Sequence, residues 1–432
     1  MKSAKGLILT LILMVALVAP AASAISAQEN IELHITWWGS QNRHDRTIAV
    51  IDMFHEQNPN IEVVYEFSSW GDYWTLLTTK ASGENLPDIM QQDYAFLKEW
   101  QSRDLLAPLD PFIADGTLDV SGVSDVVLGT GKIGDELYGL PLGTNSQAIL
   151  IDVQAFEKAG IELPAPDWTW ADFEEISLAL HEKLGIWGFG GPLSDEALWK
   201  SLYMGYGTWA FNPEGTAIGY EDDQPLVDYF DMILRLIDAE AIPSAEQWAE
   251  YADLGPEGNP LVTGQSVMGY WWSNQIVAIT KAAGEGREFK LWHLPRPEGG
   301  QPQNYIKPSQ FFSVTTQAKH PKEAAMFINF FVNNMEASDA LGTERGVPVV
   351  AAVREHLAPA LSPIDIETFD FLARVEADGS PVPPPDPAGW AEIRDNIYAP
   401  QFVDPVLYGE ISPAEGAAML REEANLILAR NK

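Results

Sequence analysis

Ile31-Glu32-Leu33-His34-Ile35-Thr36-Trp37-Trp38-Gly39-Ser40 opens the stretch that decides the fold. Ile31, Leu33, Ile35 and Trp37 alternate with Glu32, His34 and Thr36, the period-two pattern of a strand with one buried face. Ile48, Ile51 and Phe54 then recur at helical spacing until Asn58-Pro59 stops them, and Ile61, Val63, Tyr65 and Phe67 alternate again. A second helix is expected over 72–81, ending near Gly83, and a short third strand over 86–90 that stops at Gln91-Gln92-Asp93-Tyr94. Strands alternating with crossover helices predict an α/β fold with a parallel sheet, and such sheets take small molecules outside the carboxyl ends of their strands. Trp38, Ser40, Trp70, Asp93 and Tyr94 all follow strand ends. Successive strand residues face opposite ways, so Trp37, in phase with the apolar set, belongs to the core and Trp38 is the ring left for a ligand. Asp93 also suits the N-cap of a helix over 94–101, a role compatible with ligand contact.

Outward from this stretch, 432 residues exceed one ordinary core and imply two domains. Residues 1–24 read as an export signal: Lys2 and Lys5 precede an apolar run, Pro20 follows, and Ala22-Ser23-Ala24 fits a cleavage site. No later run is long and apolar enough to suggest a membrane span. The expectation is an exported, periplasmic or extracellular protein. With no cysteine in the chain, disulfides, thiol catalysis and Cys-held metals are excluded, as is the lipidated cysteine of a lipoprotein. The 62 acidic residues against 26 basic ones exclude nucleic acid and anionic membranes as partners, since both need basic footprints. Solubility, or a salty or acidic setting, accounts for the charge.

Other segments carry local signals. Thr169 with Asp172 three residues on is a capping-box variant that starts a helix over 170–183, stopped by Gly185. Glu174 and Glu175 on it point about 100° apart and read as a solvated face. The proline-rich run 379–387 reads as an extended surface connector. Gly129-Thr130-Gly131-Lys132-Ile133-Gly134 matches a dinucleotide pattern, yet Asp135-Glu136 would repel a pyrophosphate and Leu140-Pro141 leaves no room for the helix, so a hairpin turn is expected. The run 264–269 is one residue too long for a nucleophile elbow. His55-Glu56 and His181-Glu182 lack the second histidine of a zinc helix, and no EF-hand loop is present. No metal or cofactor is expected.

The runs ITWWGS (35–40), FHEQNPNIEV (54–63), SSWGDYWTLL (68–77), NLPDIMQQDYAFLKEW (85–100) and QSRDLLAPLDPFI (101–113), continued by ELYGLPLGTNSQAILIDVQAFEKAGI (136–161), DWTWADFEEI (167–176), GYWWSN (269–274) and AKHPKEAAMFINFF (318–331), resemble the extracellular solute-binding proteins of family 1. These are the carbohydrate receptors of ABC importers, of maltose-binding and oligogalacturonide-binding type. The resemblance spans essentially the whole chain after the leader. It implies a two-lobed periplasmic binding protein fold with a hinge and an interlobe cleft, one lobe formed by 28–141 with 309–350 and the other by 142–308 with 351–432. It implies capture of a mono- or oligosaccharide by a monomer and delivery to ABC permease subunits, with no catalysis.

On the same resemblance Asp93 contacts sugar, Asn145 is a hinge-side polar contact, and Tyr270, Trp271 and Trp272 form an aromatic wall in which one ring is core. Trp209 and Trp187, in Gly-rich loops, are further candidates. The run WWGSQNRHD (37–45) resembles relatives that bind pectic oligosaccharides, whose carboxylates need a cation, here Arg43, Lys307 or Arg345. Rings cover the C–H faces of sugars and polar side chains take their hydroxyls, so Trp38, Ser40, Trp70, Asp93 and Tyr94 suit the same ligand. Two other functions fit parts of the pattern: an exported glycosidase or lyase, which needs two carboxylates across one bond, and a receptor for a non-sugar polar solute.

Overall fold

The computed structural model describes residues 30–252 and 254–431; the expected leader at 1–24 lies outside them. The deciding stretch forms β1 (Ile31–Trp38), α1 (Gln41–Gln57), β2 (Ile61–Ser68), α2 (Trp70–Ser82), β3 (Ile89–Gln92) and α3 (Leu97–Ser102). Two bounds depart from the sequence reading. Ser69 caps α2 by accepting from the Asp72 amide at 3.3 Å, which brings Trp70 into the first turn. Pro87 has no N–H to give a ladder, and β3 starts at Ile89.

β1 lies between β2 and β3, parallel to both. The strand Phe311–Val314 then adds antiparallel to β3, and Leu140–Pro141 pairs beyond it, so this first sheet is parallel in its older half and antiparallel at its edge. Trp37 is fully buried with Leu33, Ile35, Val50 and Phe54. The helix Pro321–Asn333 closes the same core, with Phe327 and Phe330 edge-on to Phe54 at 5.2 and 5.4 Å. Trp38 enters a different cluster, with Tyr73 and Trp74.

A second, mixed sheet runs Phe289–Trp292, Gln147–Asp152, Ser266–Trp272, Trp187–Phe189. The helix Trp170–Leu184 carries the expected Thr169–Asp172 capping box and ends at Gly185 in the left-handed region. Glu174, half-buried, pairs with Arg235 at 2.7 Å, while Glu175 is exposed and makes no ion pair among the described residues. Lys132–Ile133 and Glu136–Leu137 form the hairpin around Gly134. Phe371 and Val375 of the helix Pro363–Ala377 pack with Leu150 and Leu291 behind this sheet.

The two sheets are joined by three short strands that pair with one another. Gly143–Asn145 lies centrally, with Lys307–Pro308 and Val347–Pro348 antiparallel on either side. The chain passes between the bodies at the first two. After Val347–Pro348 the residues Val353 and Leu357 still pack in the first core, so the third passage lies beyond the helix Ala351–Leu357 and not at 350 as the resemblance implied. The three paired strands make the hinge of a two-lobed fold. The approach is tight: a Cβ on Gly346, whose φ is +95°, would sit 2.4 Å from the Thr144 carbonyl oxygen.

Candidate functional site

Between the two sheets lies a cavity of about 810 Å³, bordered by side chains of both lobes and within the ~300–1,000 Å³ range of small-molecule sites. Lobe contacts flank it. Lys281 Nζ donates to Asn42 Oδ1 at 3.0 Å, and the Arg394 guanidinium stands 4.9 Å from the Phe96 ring.

The first wall grows from the end of β1. Trp38 meets Trp70 edge-on at 4.9 Å and Tyr73 at 5.0 Å, and Tyr73 Oη donates to the Gln91 carbonyl at 2.7 Å. That anchoring holds the Trp38 ring, while Trp70 is 40% exposed and free to meet a ligand. Ser40 caps α1, its Oγ accepting from the Arg43 amide at 3.3 Å. The Asp93 Oδ1 accepts from the Ala95 amide at 2.9 Å, a turn rather than the expected cap, because α3 begins at Leu97.

The opposite wall is the end of the strand Ser266–Trp272. All three rings border the cavity, on different terms. Tyr270 belongs to the large cluster and its hydroxyl is buried without a hydrogen-bond partner. Trp271 packs against the cluster of Leu150 and Val347. Trp272 carries the Lys307 ammonium 4.4 Å from its ring centre. On the hinge strand, Asn145 Nδ2 donates to Asn274 Oδ1 at 2.8 Å while its Oδ1 is buried and unpartnered. Such orphaned groups suit a hydroxyl-rich ligand.

Three cations of the cavity are paired with carboxylates, while Lys98, Asp195, Glu196 and Glu257 border it without an ion pair among the described residues. Arg43 Nε stands 3.0 Å from each oxygen of Glu344, Lys307 Nζ is 3.6 Å from Asp93 Oδ2, and Lys200 Nζ is 2.5 Å from Asp386 Oδ2. Burial pulls the Lys307 ammonium below its usual range, and Asp93 opposes that shift. Burial likewise raises Asp386 against the pull of Lys200, and raises Asp195, with Glu196 adding to the effect.

Of the twelve ligand candidates, Trp38, Ser40, Arg43, Trp70, Asp93, Tyr94, Asn145, Trp209, Tyr270, Trp271 and Trp272 all border this one cavity. Arg345 is corrected. Its guanidinium lies beneath the floor, held by Gln91 and by Thr47 Oγ1 at 2.8 Å and set 5.2 Å from the Phe331 ring. Trp187 also lies elsewhere, edge-on to Tyr251 at 6.0 Å. Of the cations named for an acidic sugar, Arg43 and Lys307 border the cavity with a carboxylate beside each.

Sequence reasoning missed the proline-rich segment. Pro383 to Pro387 border the cavity instead of merely connecting, and Tyr94 Oη donates to the Pro383 carbonyl at 3.1 Å. Asp386, 9% exposed, was the available signal: a lone acid among four prolines has no reason to be there unless it meets a charge. Among the described residues no group of three His, Asp or Glu could hold a metal ion, and no helix is long and apolar enough to cross a membrane.

Residues 41–337 match the family described as bacterial extracellular solute-binding protein. The extracellular solute-binding protein family 1 structure from Alicyclobacillus acidocaldarius is 30% identical, with a TM-score of 0.64 over 93% of this chain and all of that one. The periplasmic oligogalacturonide binding protein of Yersinia enterocolitica, solved with saturated digalacturonic acid, is 24% identical, with a TM-score of 0.81 over 93% of this chain and 99% of that one. An uncharacterised lipoprotein of Streptomyces antibioticus is 24% identical over 298 residues, which are 66% of this chain and 63% of that relative's length. The chain belongs to the bacterial extracellular solute-binding protein family. It is a solute-binding protein with the family's two-lobed fold.

Proposed function

We propose that this protein is an extracytoplasmic carbohydrate receptor that captures a mono- or oligosaccharide between its lobes and presents the closed complex to ABC permease subunits. The observation that carries this reading is the cavity itself, where tryptophan and tyrosine rings from both lobes face one space. Rings cover sugar C–H faces, and the unpartnered Asn145 Oδ1 and Tyr270 hydroxyl suit sugar hydroxyls. Arg43, Lys200 and Lys307 are each paired with a carboxylate, and Asp195, Glu196 and Glu257 add acid to the lining against Lys98, its single unpaired cation among the described residues, so the ligand is neutral rather than a uronate. Closure follows from a ligand that binds both walls better than either alone. The lobes comprise 28–141 with 309–361 and 142–308 with 362–432, the receptor works as a monomer, and export is through a leader at 1–24.

Isothermal titration against neutral gluco-, galacto- and xylo-oligosaccharides and against acidic oligogalacturonides tests this, with ligand mass checked afterwards. Tight binding of an unchanged neutral sugar is expected. Absence of binding to every sugar, with binding to a polyol or peptide instead, would transfer the fold to another polar solute. One observation favours an exported carbohydrate-active enzyme: Asp195 borders the cavity with its carboxyl raised toward the neutral acid a glycosidase needs. That carboxyl caps its own helix, accepting from Ala197 at 2.8 Å, and its neighbour Glu196 follows it on the same turn rather than facing it across a bond. Cleaved products in the titration cell would establish the enzyme reading.

A further inference from the structure

A second cavity of about 610 Å³ lies beside the first, and Trp70, Gly71, Phe96 and Glu196 border both. The two spaces therefore adjoin one another, with Trp70 at the waist between them. One wall of the second space is a face of α2, on which Trp70, Trp74 and Thr78 follow one another at four-residue spacing with Thr75 and Thr79 alongside. The three threonines are exposed, and with the tryptophans they set hydroxyls beside rings. The other wall comes from the second lobe, through Ala391 and Arg394, so the space forms only when the lobes meet.

Both of its cations are paired, and Glu196 leaves an acid over. Arg394 pairs with Asp395 at 2.7 Å, and Arg103 stands 3.8 Å from Glu99. No cation is left to hold a carboxylate or phosphate. A flexible polar chain that already fills the main cavity can continue past Trp70 into this groove without leaving the shelter of either lobe.

We propose that the groove is a second carbohydrate subsite, which takes the far units of a neutral oligosaccharide whose first units occupy the main cavity. This rests on the carbohydrate reading above and adds a ligand length to it: the preferred ligand has more than two sugar units. Trp70, shared by both spaces, stacks against the unit at the waist.

The experiment is isothermal titration of the protein with neutral gluco-, galacto- and xylo-oligosaccharides of two to six units, repeated with Thr78→Trp and Thr75→Trp. Both substitutions fill the groove from exposed helix positions and leave the main cavity untouched. A ring stacked on an added unit makes the four-unit sugar about tenfold tighter than the two-unit one. Either filled variant is expected to erase that gain while holding disaccharide affinity within twofold and the melting temperature unchanged. Equal affinity for two and four units in the native protein, or a gain that survives in both folded variants, overturns the groove and leaves the carbohydrate reading standing. Failure of every sugar at every length overturns both.

Discussion

Glu344→Gln isolates what the paired charges contribute. Arg43 and Glu344 have side chains only 7% and 3% exposed, and the Arg43 Nη1 is further spent on the Trp38 carbonyl at 3.3 Å. Glutamine keeps the shape and one acceptor but removes the charge, so a buried guanidinium loses its counterion. Breaking one side of a buried pair costs about 3–5 kcal/mol, and the retained amide holds the loss toward the lower figure. At about 1 °C per kcal/mol for a chain of this size, the melting temperature falls by about 3 °C or more. The freed cation also changes the cavity: oligogalacturonides, expected to bind the native protein weakly, gain at least tenfold relative to neutral sugars. Differential scanning calorimetry with and without digalacturonate, together with titration, reads both effects. A variant that melts with the native protein and keeps its neutral-to-acidic ratio would refute the claim that this pair neutralises the site.

Three further outcomes follow from the same geometry. Trp272→Ala weakens sugar binding by about tenfold through the lost ring, while the melting point stays within a few degrees; titration that finds unchanged affinity removes Trp272 from the wall. Tyr94→Phe deletes the hydroxyl that reaches the Pro383 carbonyl, costs about 1 kcal/mol of closure and lowers affinity about fivefold, with a less compact ligand-bound form in small-angle scattering. His44, whose Nδ1 accepts from Trp37 Nε1 at 3.0 Å, is driven from 6.5 to about 4 chiefly by burial, with Arg43 adding to it. Between those values the unfolded chain takes a proton that the folded chain refuses, so its contribution is fully present above pH 6.5 and is lost as pH falls toward 4. Denaturant titrations at pH 7.5 and 4.5 should show the native protein losing about 3 kcal/mol more than His44→Asn over that interval, and equal losses would discount the buried neutral ring.

Local pattern made the scaffold legible. The alternation from Ile31 to Trp38 separated the two tryptophans correctly, with Trp37 in the core and Trp38 at the cavity, because strand phase is a property of neighbours. Thr169 and Gly185 announced their helix for the same reason. Pairings between distant residues were not legible. Lys200 meets Asp386 and Arg345 meets Gln91 and Thr47 only after folding, and nothing adjacent in sequence reveals whether an arginine faces a ligand or lies under the floor. Proline-rich composition likewise reads the same whether the segment crosses open surface or borders a cavity.

The interleaving of the chain has a consequence for its biogenesis. Phe54 meets Phe327 and Phe330, and the first sheet is completed only when Phe311–Val314 pairs with β3. A ribosome must therefore make roughly three quarters of the 432 residues before the amino-terminal core has its full complement of partners. Until then the early segment is a chain of amphipathic pieces without a finished interior. Under the export proposed above, such delayed completion keeps a nascent polypeptide threadable, the state a secretion channel requires, and would tie the appearance of a functional cleft to the far side of the membrane.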